Sequence, residues 1–220
     1  ICIDLNIPKP NFLINKVNAK NNITMISYFM EKISIVIDKY QPNLIIVFGD
    51  VDTTLAAAIT SKKKQCKILH VEAGLRSKDF NMQEEVNRRI VDHLSDINFC
   101  TSISSLKNLS KEGLKNKSYF VGNIIFDNYL NLKAKIDNSK ILQKLFLKKN
   151  EFILITIHRY QLINYKNILN KLCNLINQCA EKNTVVFTCH SRTKTNLKKF
   201  KLIKKLKNNI KLIDPLSYTD

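Results

Sequence analysis

The sequence has few of the residues that mark turns, and it has no long apolar run. Its 220 residues include four glycines, four prolines and no tryptophan, and its longest apolar runs are only as long as β-strands. Because a helix that spans a bilayer needs about 20 consecutive apolar residues, a transmembrane segment is not predicted. No signal-peptide pattern is present either. With 45% hydrophobic residues, the chain is expected to be a globular, cytoplasmic protein that does not contact a membrane.

The cysteines lack the spacing of metal ligands. No CxxC pair occurs, and most of the six lie inside apolar segments: Cys2, Cys66, Cys100, Cys173, Cys179 and Cys189. Thiols placed in this way are typical of reduced core residues in a cytosolic protein. No metal site is therefore predicted from them.

Two common phosphate-binding fingerprints are also missing. Neither GxGxxG nor a P-loop occurs, and glycine-rich loops of these kinds cradle the phosphates of dinucleotides and of ATP. Their absence argues against a bound dinucleotide cofactor and against ATP-driven chemistry. It leaves room for an α/β fold that holds a sugar nucleotide in a cleft between two domains.

Acidic residues are scarce relative to basic ones, at 18 against 36, which gives a formal net charge of +18. Clustered Lys and Arg would indicate nucleic-acid binding, but these lysines are spread through every helix-like stretch. We interpret the excess as a compositional bias on solvated faces, and no specific nucleic-acid partner is predicted. The densest basic run, residues 194–209, places Leu197, Phe200, Ile203 and Leu206 at helical intervals and predicts an amphipathic surface helix.

Apolar runs alternate with helical patterns along the chain. The predicted strands are residues 44–48, 68–71, 97–100, 119–121, 152–157, 185–189 and 210–213. Continuous apolar runs suit strands that are covered on both faces, as in a parallel sheet. One helix is predicted over residues 104–112, ended by Gly113, and another has apolar residues from Ile168 to Cys179 on one face. The alternation predicts a doubly wound α/β architecture.

Polar side chains follow several of the predicted strands. Asp50 follows the first strand, His70 and Glu72 stand at the end of the second, and His158 and His190 follow two later strands. In open α/β sheets, ligands bind beyond the carboxyl ends of the strands. Several polar groups at such ends therefore predict a functional site.

Seven short segments, read in order, carry a resemblance to a known family. They are GDVDTTLA (49–56), HVEAGLRS (70–77), QEEVNR (83–88), VGNIIFD (121–127), TIHR (156–159), HSRT (190–193) and IDPLSY (213–218). Together they closely resemble the non-hydrolysing UDP-N-acetylglucosamine 2-epimerases. The resemblance implies an α/β fold of two Rossmann-like doubly wound domains that face a cleft, which is a GT-B-like arrangement.

The resemblance also implies that both domains are incomplete in this chain. The expected divisions are a partial N-terminal domain over residues 1–130, a connecting segment over 131–150, and the first part of a nucleotide-binding domain over 151–220. These 220 residues alone are expected to be inactive.

The implied reaction has particular chemical needs. Inverting C2 of UDP-N-acetylglucosamine means removing a hydrogen that no adjacent carbonyl acidifies, so a simple proton abstraction is implausible. Loss of UDP from C1 together with the C2 proton would give a glycal-like intermediate. UDP would then add back while a proton arrives on the opposite face. Such a site needs acid/base groups on both faces of C2 and support for the leaving diphosphate, but no metal and no other cofactor.

Three carboxylates and one histidine are predicted to be catalytic. Asp50, Glu72 and Glu84 match acidic positions that the resemblance implies are functional, and together they form the expected acid/base set. Which of them removes the proton and which delivers it is left open. His158 matches a family histidine at the edge of the cleft and is assigned to the UDP leaving group.

Structural roles for the same carboxylates also remain open. Asp50 could cap the helix that follows it. Glu84 and its neighbour Glu85 could merely pair with arginines one turn along an exposed helix. Glu72 follows a strand that looks buried, so either a site or a firm partner such as Arg76 is expected for it.

Six further residues are predicted to bind the substrate. Arg159 is the expected partner of the diphosphate, because guanidinium groups bind phosphate oxygens bidentately. Asn87 and Arg88 are expected to order the carboxylates. The full set is Arg76, Asn87, Arg88, Arg159, His190 and Arg192. His93 is expected to be structural.

Other functions stay open at this point. A glycosyltransferase of the same architecture would share the nucleotide cleft, although it has no evident need for three carboxylates. Hydrolysing epimerases and diacetamido-uronate UDP-sugar epimerases are closer alternatives, and a basic nucleic-acid-binding protein is the non-enzyme alternative. The favoured prediction is a homodimeric epimerase that makes UDP-N-acetylmannosamine for surface polysaccharide.

Overall fold

The computed structural model describes residue 5, residues 7–15 and residues 20–220. These residues form two compact units. The first unit is Lys9–Leu130, and the second is Asn131–Asp220 together with the described residues up to Pro8. No helix in the described part of the chain is long and apolar enough to cross a bilayer. The domain limits expected from the sequence stay a prediction.

The first unit contains a four-stranded sheet with helices between its strands. Its elements are α1 (Asn22–Tyr40), β1 (Leu44–Phe48), α2 (Asp52–Lys63), β2 (Lys67–Ala73), α3 (Gln83–Leu94), β3 (Ile97–Cys100), α4 (Ile103–Lys111), a 3-10 turn (Lys115–Lys117), β4 (Ser118–Phe120) and α5 (Ile124–Asp137), whose end belongs to the second unit. The four strands are parallel and pair in sequence order. Their carboxyl ends therefore lie along one edge of the sheet.

The core of the first unit lies between this sheet and its helices. Val47 and Ile68 come from neighbouring strands, Leu55 and Ala58 from α2, and Val91 from α3, and all five are buried. Burying a Val, Leu or Ile side chain stabilises the fold by about 1.5–3 kcal/mol. The packed layer fixes the helices relative to the strand ends, where the predicted carboxylates stand.

The opposite face of β1 is exposed in the described part of the chain. Ile46 and Phe48 of β1 are 52% and 58% exposed. Parallel strands in sequence order with right-handed crossovers place their connecting helices on one face. Among the described residues, β1 is therefore covered on one face only, whereas its continuous apolar run favours cover on both.

The second unit is built in the same way around three strands. Its elements after α5 are α6 (Ile141–Lys144), β5 (Phe152–Thr156), α7 (Tyr160–Ile163), α8 (Lys166–Cys179), β6 (Thr184–Thr188), α9 (Ser191–Lys199), a 3-10 turn (Ile203–Lys205) and β7 (Ile210–Ile213). The strands are parallel, in the order β5-β6-β7. Leu169, Cys173 and Ile176 of α8 belong to the same buried cluster as Val185 and Phe187 of β6.

The predicted α/β fold with parallel sheets is confirmed. All seven predicted strands are present, with ends that differ by no more than two residues. The helix predicted over residues 104–112 is α4, and Gly113 follows it with a φ of +78°. In α8 the apolar face is narrower than predicted, because Leu175 and Cys179 are exposed.

The single helix predicted over residues 194–209 is wrong. Helix α9 ends at Lys199, Lys201 takes a left-handed backbone with a φ of +57°, and a 3-10 turn precedes β7. Leu197 and Leu202 on the two sides of this break are both buried. The apolar spacing continues past the end of the helix because the non-helical turn at Lys201 also brings a leucine, Leu202, into the core. Spacing alone therefore does not distinguish this turn from a longer helix.

The cysteines divide into buried and accessible positions. Cys100, Cys173 and Cys189 are buried free thiols, as predicted for core residues, and burial raises the pKa of Cys100 to about 11. Cys66 is half-buried and Cys179 is exposed, so the prediction of a core position is wrong for Cys179. Cys2 lies outside the described residues.

Candidate active site

A sharp turn after β1 carries Asp50. Gly49 has a φ of +64°, which glycine adopts without a steric penalty, and its N–H donates to the carbonyl of Val71 at 3.1 Å. Val51, not Asp50, is the N-cap of α2, and it makes no side-chain capping bond. The capping role considered for Asp50 is therefore excluded.

Helix α3 holds this turn through two consecutive side chains. Arg88 Nε donates to Asp50 Oδ2 at 3.1 Å, and its Nη2 contacts the same oxygen. Asn87 Nδ2 donates to the Asp50 carbonyl at 2.9 Å and to Asp52 Oδ1 at 3.0 Å. The Asp50 side chain remains 27% exposed. Asp50 is thus oriented by its neighbours while part of its carboxylate stays accessible.

Glu72 occupies an irregularity at the end of β2. The pairing of β2 with β3 shifts register between Val71 and Ala73, and Glu72 between them has a φ of +70°. A non-glycine residue in this region carries strain of about 1–3 kcal/mol, and such strain clusters at functional sites. A side chain at Gly49 would meet Glu72 Oε2 at 3.8 Å. The Glu72 carboxylate therefore lies beside the turn that carries Asp50.

The expected pair between Glu72 and Arg76 is not formed. Arg76 donates to Asp92 Oδ2 at 2.7 Å and contacts both oxygens of Glu112 at 2.6 and 2.8 Å. Its side chain is 3% exposed, and these carboxylates raise the pKa of the guanidinium in spite of its burial. Within the described residues, the Glu72 carboxylate makes no hydrogen bond or ion pair. The geometry of Arg76 favours a structural role.

The two glutamates that begin α3 have different surroundings. Glu84 is exposed and has no side-chain partner in the described part of the chain. Glu85 is buried and accepts from Arg88 at 3.0 Å, from Arg89 at 2.8 Å and from the Ser77 N–H at 2.7 Å. Burial opposes its charge, but the Ser77 and Arg89 hydrogen bonds lower the pKa of Glu85 to about 2. Among the described residues, the pairing considered for both glutamates thus applies to Glu85 alone.

The predicted site residues of the second unit stand at two adjacent strand ends. Thr156 of β5 pairs with Thr188 of β6, so His158 and His190 each lie two residues beyond a paired position. His190 caps α9 by accepting from the Arg192 N–H at 3.3 Å. The buried hydroxyl of Thr193 donates to the Ile157 carbonyl at 2.6 Å. These hydrogen bonds therefore fix the backbone at this edge.

The side chains at this edge are much less constrained than the backbone. His158, Arg159, His190 and Arg192 are all exposed. Among the described residues, His158, Arg159 and Arg192 make no side-chain hydrogen bond or ion pair. These groups are accessible to an anionic ligand such as a diphosphate.

Three further residues complete the surroundings of the carboxylates: His70 and Asp92, which are buried, and Glu112, which is partly exposed. The sequence placed His70 at a strand end, but sequence reasoning assigned no role to Asp92 or Glu112. His70 Nδ1 lies 2.7 Å from Asp92 Oδ1, and its Nε2 lies 2.9 Å from the Gly49 carbonyl. One signal was available, because Glu85, Arg88 and Asp92 follow each other at spacings of three and four, which places them on one face of α3. No comparable signal pointed to Glu112, which is the C-cap of α4. His93 is exposed; its ring Nδ1 lies 2.9 Å from the Arg89 carbonyl, and its own carbonyl accepts from Lys117 at 2.8 Å.

No metal site is evident in the described residues. They contain no group of three or more His, Cys, Asp and Glu side chains that could hold an ion. Asp50, Glu85, Asp92 and Glu112 of the first unit are instead paired with arginine or histidine side chains.

Comparisons with known proteins relate this chain to one family. The family model described as UDP-N-acetylglucosamine 2-epimerase matches residues 2–220. A UDP-N-acetylglucosamine 2-epimerase homolog of Methanococcus maripaludis is 37% identical over 99% of this chain and 61% of its own length. A UDP-2,3-diacetamido-2,3-dideoxy-D-glucuronate 2-epimerase of Pseudomonas aeruginosa is 30% identical over 98% of this chain and 60% of its own length.

A solved structure is also similar over nearly the whole chain. It is a UDP-GlcNAc 2-epimerase of Methanocaldococcus jannaschii in complex with UDP-GlcNAc and UDP, with a TM-score of 0.88 and 31% identity. The match covers 99% of this chain and 62% of that structure. The chain thus spans about three fifths of the length of the relatives that it matches.

Proposed function

We propose that this chain, which belongs to the UDP-N-acetylglucosamine 2-epimerase family, is part of an enzyme that interconverts UDP-N-acetylglucosamine and UDP-N-acetylmannosamine. The observation that carries the proposal is the pair of carboxylates at adjacent strand ends. Asp50 is fixed by Arg88 and Asn87, and Glu72, which is strained and has no partner among the described residues, lies beside its turn. Acid/base chemistry on a sugar carbon needs such groups in fixed positions.

The proposed reaction is elimination followed by re-addition. A carboxylate of the site removes the C2 proton while the bond between C1 and the UDP oxygen breaks, and the electron pair of the C–H bond forms the C1–C2 double bond. UDP then adds back to C1, and C2 receives a proton on the opposite face. The two steps balance in atoms and electrons, so the reaction needs neither an oxidant nor a metal. Asp50, Glu72 and Glu84 are the proposed acid/base set.

The exposed groups of the second unit suit the other half of this chemistry. The leaving UDP develops negative charge, which cationic and hydrogen-bonding groups stabilise. We assign His158 to the UDP leaving group and Arg159 to the diphosphate. His190 and Arg192 are proposed as further nucleotide contacts, while Asn87 and Arg88 act on substrate only by ordering the carboxylates.

The similarity to the Pseudomonas aeruginosa relative favours a second candidate substrate. That protein is named for a diacetamido-dideoxy-glucuronate UDP-sugar, so the sugar of the present substrate could carry a C6 carboxylate. Resemblance to the family also supports a cytoplasmic homodimer of the complete protein that supplies surface-polysaccharide synthesis.

Proton NMR of the complete protein in deuterated water tests the proposal. With UDP-N-acetylglucosamine, we expect UDP-N-acetylmannosamine that carries deuterium at C2. Free N-acetylmannosamine with UDP would instead indicate a hydrolysing enzyme. No product and no exchange at C2 would reject this substrate, and the diacetamido uronate would be tested next. Asp50→Asn is the variant that should abolish the exchange, and Glu181→Gln in the second unit is its control.

A further inference from the structure

His70 is a buried histidine at the end of β2, beside the proposed carboxylates. Its side chain is fully buried, and both of its ring nitrogens face oxygen atoms. Nδ1 lies 2.7 Å from the Asp92 carboxylate, and Nε2 lies 2.9 Å from the Gly49 carbonyl. A carboxylate and a backbone carbonyl only accept hydrogen bonds. Both bonds form together when each ring nitrogen carries a hydrogen, and the geometry therefore points to the imidazolium form.

The imidazolium completes an alternating series of charges, which we call the charge ring. Consecutive members are joined by hydrogen bonds, and carboxylates alternate with cations: Asp50, Arg88, Glu85, Arg89, Glu112, Arg76, Asp92 and His70. The last link runs from His70 to the Gly49 carbonyl, directly before Asp50. Four negative and four positive groups balance each other. Such pairing is needed because a buried charge without a partner is strongly destabilising.

The charge ring meets Asp50 at two points. Arg88 holds its carboxylate, and His70 holds the carbonyl of the peptide that joins Gly49 to Asp50. The first contact orients the side chain, and the second fixes the backbone from which that side chain projects. Because Gly49 adopts a φ of +64° and glycine is conformationally permissive, this turn needs an external constraint.

We propose that His70 is a positioning residue for Asp50, which acts by donating from Nε2 to the Gly49 carbonyl while Asp92 anchors the other side of its ring. The proposal rests on the function proposed above for the Asp50 carboxylate. His70 does not touch the substrate. Its effect is to hold the reacting carboxylate at the right distance from C2.

Two substitutions test the two hydrogen bonds of His70 one at a time, because each keeps one bond and removes the other. The amide nitrogen of asparagine lies near the position of Nδ1, so His70→Asn keeps a donor for Asp92 and loses the donor for Gly49. The amide nitrogen of glutamine reaches about as far as Nε2, so His70→Gln keeps the donor for Gly49. His93→Gln is the matched control, since His93 is an exposed histidine of the same unit outside the charge ring.

Kinetics of the complete protein then give a specific pattern. Misplacement of a reacting group by about 1 Å reduces the rate about 100-fold, so we expect kcat of His70→Asn to fall by about that factor with little change in KM. His70→Gln should retain at least about ten times more kcat than His70→Asn, although both variants lose one buried bond and should have similar melting temperatures. Equal kcat values for the two variants, or wild-type kcat in both, would overturn the proposal.

Two further measurements do not depend on activity. In the 15N NMR spectrum of histidine-labelled wild-type protein at pH 7.5, His70 should show a hydrogen on both ring nitrogens, and a neutral ring would contradict the inference. In the crystal structure of His70→Asn, the Gly49–Asp50 turn should be displaced, and an unchanged turn would contradict it. If the wild-type protein does not epimerise UDP-sugars while both of these results are as expected, then the proposed function fails and the positioning of Asp50 stands.

Discussion

The two units present their predicted site residues in opposite ways. In the first unit, Asp50 is fixed by hydrogen bonds as a member of the charge ring. In the second unit, His158, Arg159 and Arg192 are exposed and unpaired among the described residues. The second unit is also the more basic one, since its residues 131–220 hold 19 of the 36 Lys and Arg but only five of the 18 Asp and Glu. Preorganisation is therefore a property of the predicted site residues of the first unit.

The two tasks proposed for these residues account for the difference. Carboxylates that exchange protons with a carbon must be held in place, and several of them close together need cations to offset their repulsion. Groups that bind a diphosphate meet a ligand which itself supplies the opposite charge. They can stay solvated until it binds, and only their backbone needs to be fixed.

The largest expected effect comes from breaking the charge ring. Asp92→Asn removes the negative charge that His70 and Arg76 share in a fully buried site. Removing one partner of a buried pair destabilises by about 3–5 kcal/mol, and we expect a loss of that size in the free energy of unfolding measured with urea. The control is Glu181→Gln in the second unit, whose pair with Lys207 is about half exposed and should contribute less than about 1 kcal/mol. If both variants lost a similar free energy of unfolding, the buried ion pairs of the first unit would not be more stabilising than the exposed pair of the second.

Acid should destabilise the first unit through Glu85. Its pKa is lowered from 4.5 to about 2 in the folded protein, so the stabilisation is fully present above pH 4.5 and is lost as the pH falls from there towards 2. The shift corresponds to about 3 kcal/mol. Arg76 also lowers the pKa of Glu112, which acts in the same direction.

Hydrogen exchange at pH 6 and pH 3 measures this loss. After correction for the intrinsic pH dependence of exchange, we expect amides of α3 to lose more protection than amides of α8. The two helices have similar lengths, at 12 and 14 residues. An earlier or larger loss of protection in α8 would show that the charge ring does not set the acid sensitivity.

Substitutions in the two units should change different kinetic constants of the complete protein. Arg88→Gln releases the Asp50 carboxylate, and we expect kcat to fall about 100-fold with KM nearly unchanged. Arg159→Gln removes a proposed phosphate partner and should raise KM for the UDP-sugar about tenfold. A dominant effect of Arg88→Gln on KM would place this residue at the substrate instead.

The smallest expected effect tests the strain at Glu72. Asparagine tolerates a positive φ better than other non-glycine residues, so Glu72→Asn should be more stable than Glu72→Gln by about 0.5–1 kcal/mol. Both variants should lose epimerase activity, because both lack the carboxylate. Thermal unfolding of the two proteins gives the comparison, and equal stabilities would argue against strain at this position.

Much of the fold and part of the site could be predicted from local patterns. The strands were predictable because each is a short, continuous apolar run, and Asp50 and Glu72 were identifiable because each follows such a run. The charge ring was not predictable in this way, since its contacts join residues as far as 38 positions apart, such as Asp50 and Arg88. The break at Lys201 was missed because apolar spacing does not record where a helix ends.

The sequence alone determined the order of strands and helices, the parallel α/β class and the family, because apolar periodicity and short motifs are local properties of the chain. Only the tertiary structure decided which charges meet. Glu84 and Glu85 are neighbours in the sequence, yet one is exposed and the other is buried between two arginines. Successive helical residues point about 100° apart, and the surroundings of each direction depend on which strands and helices pack there.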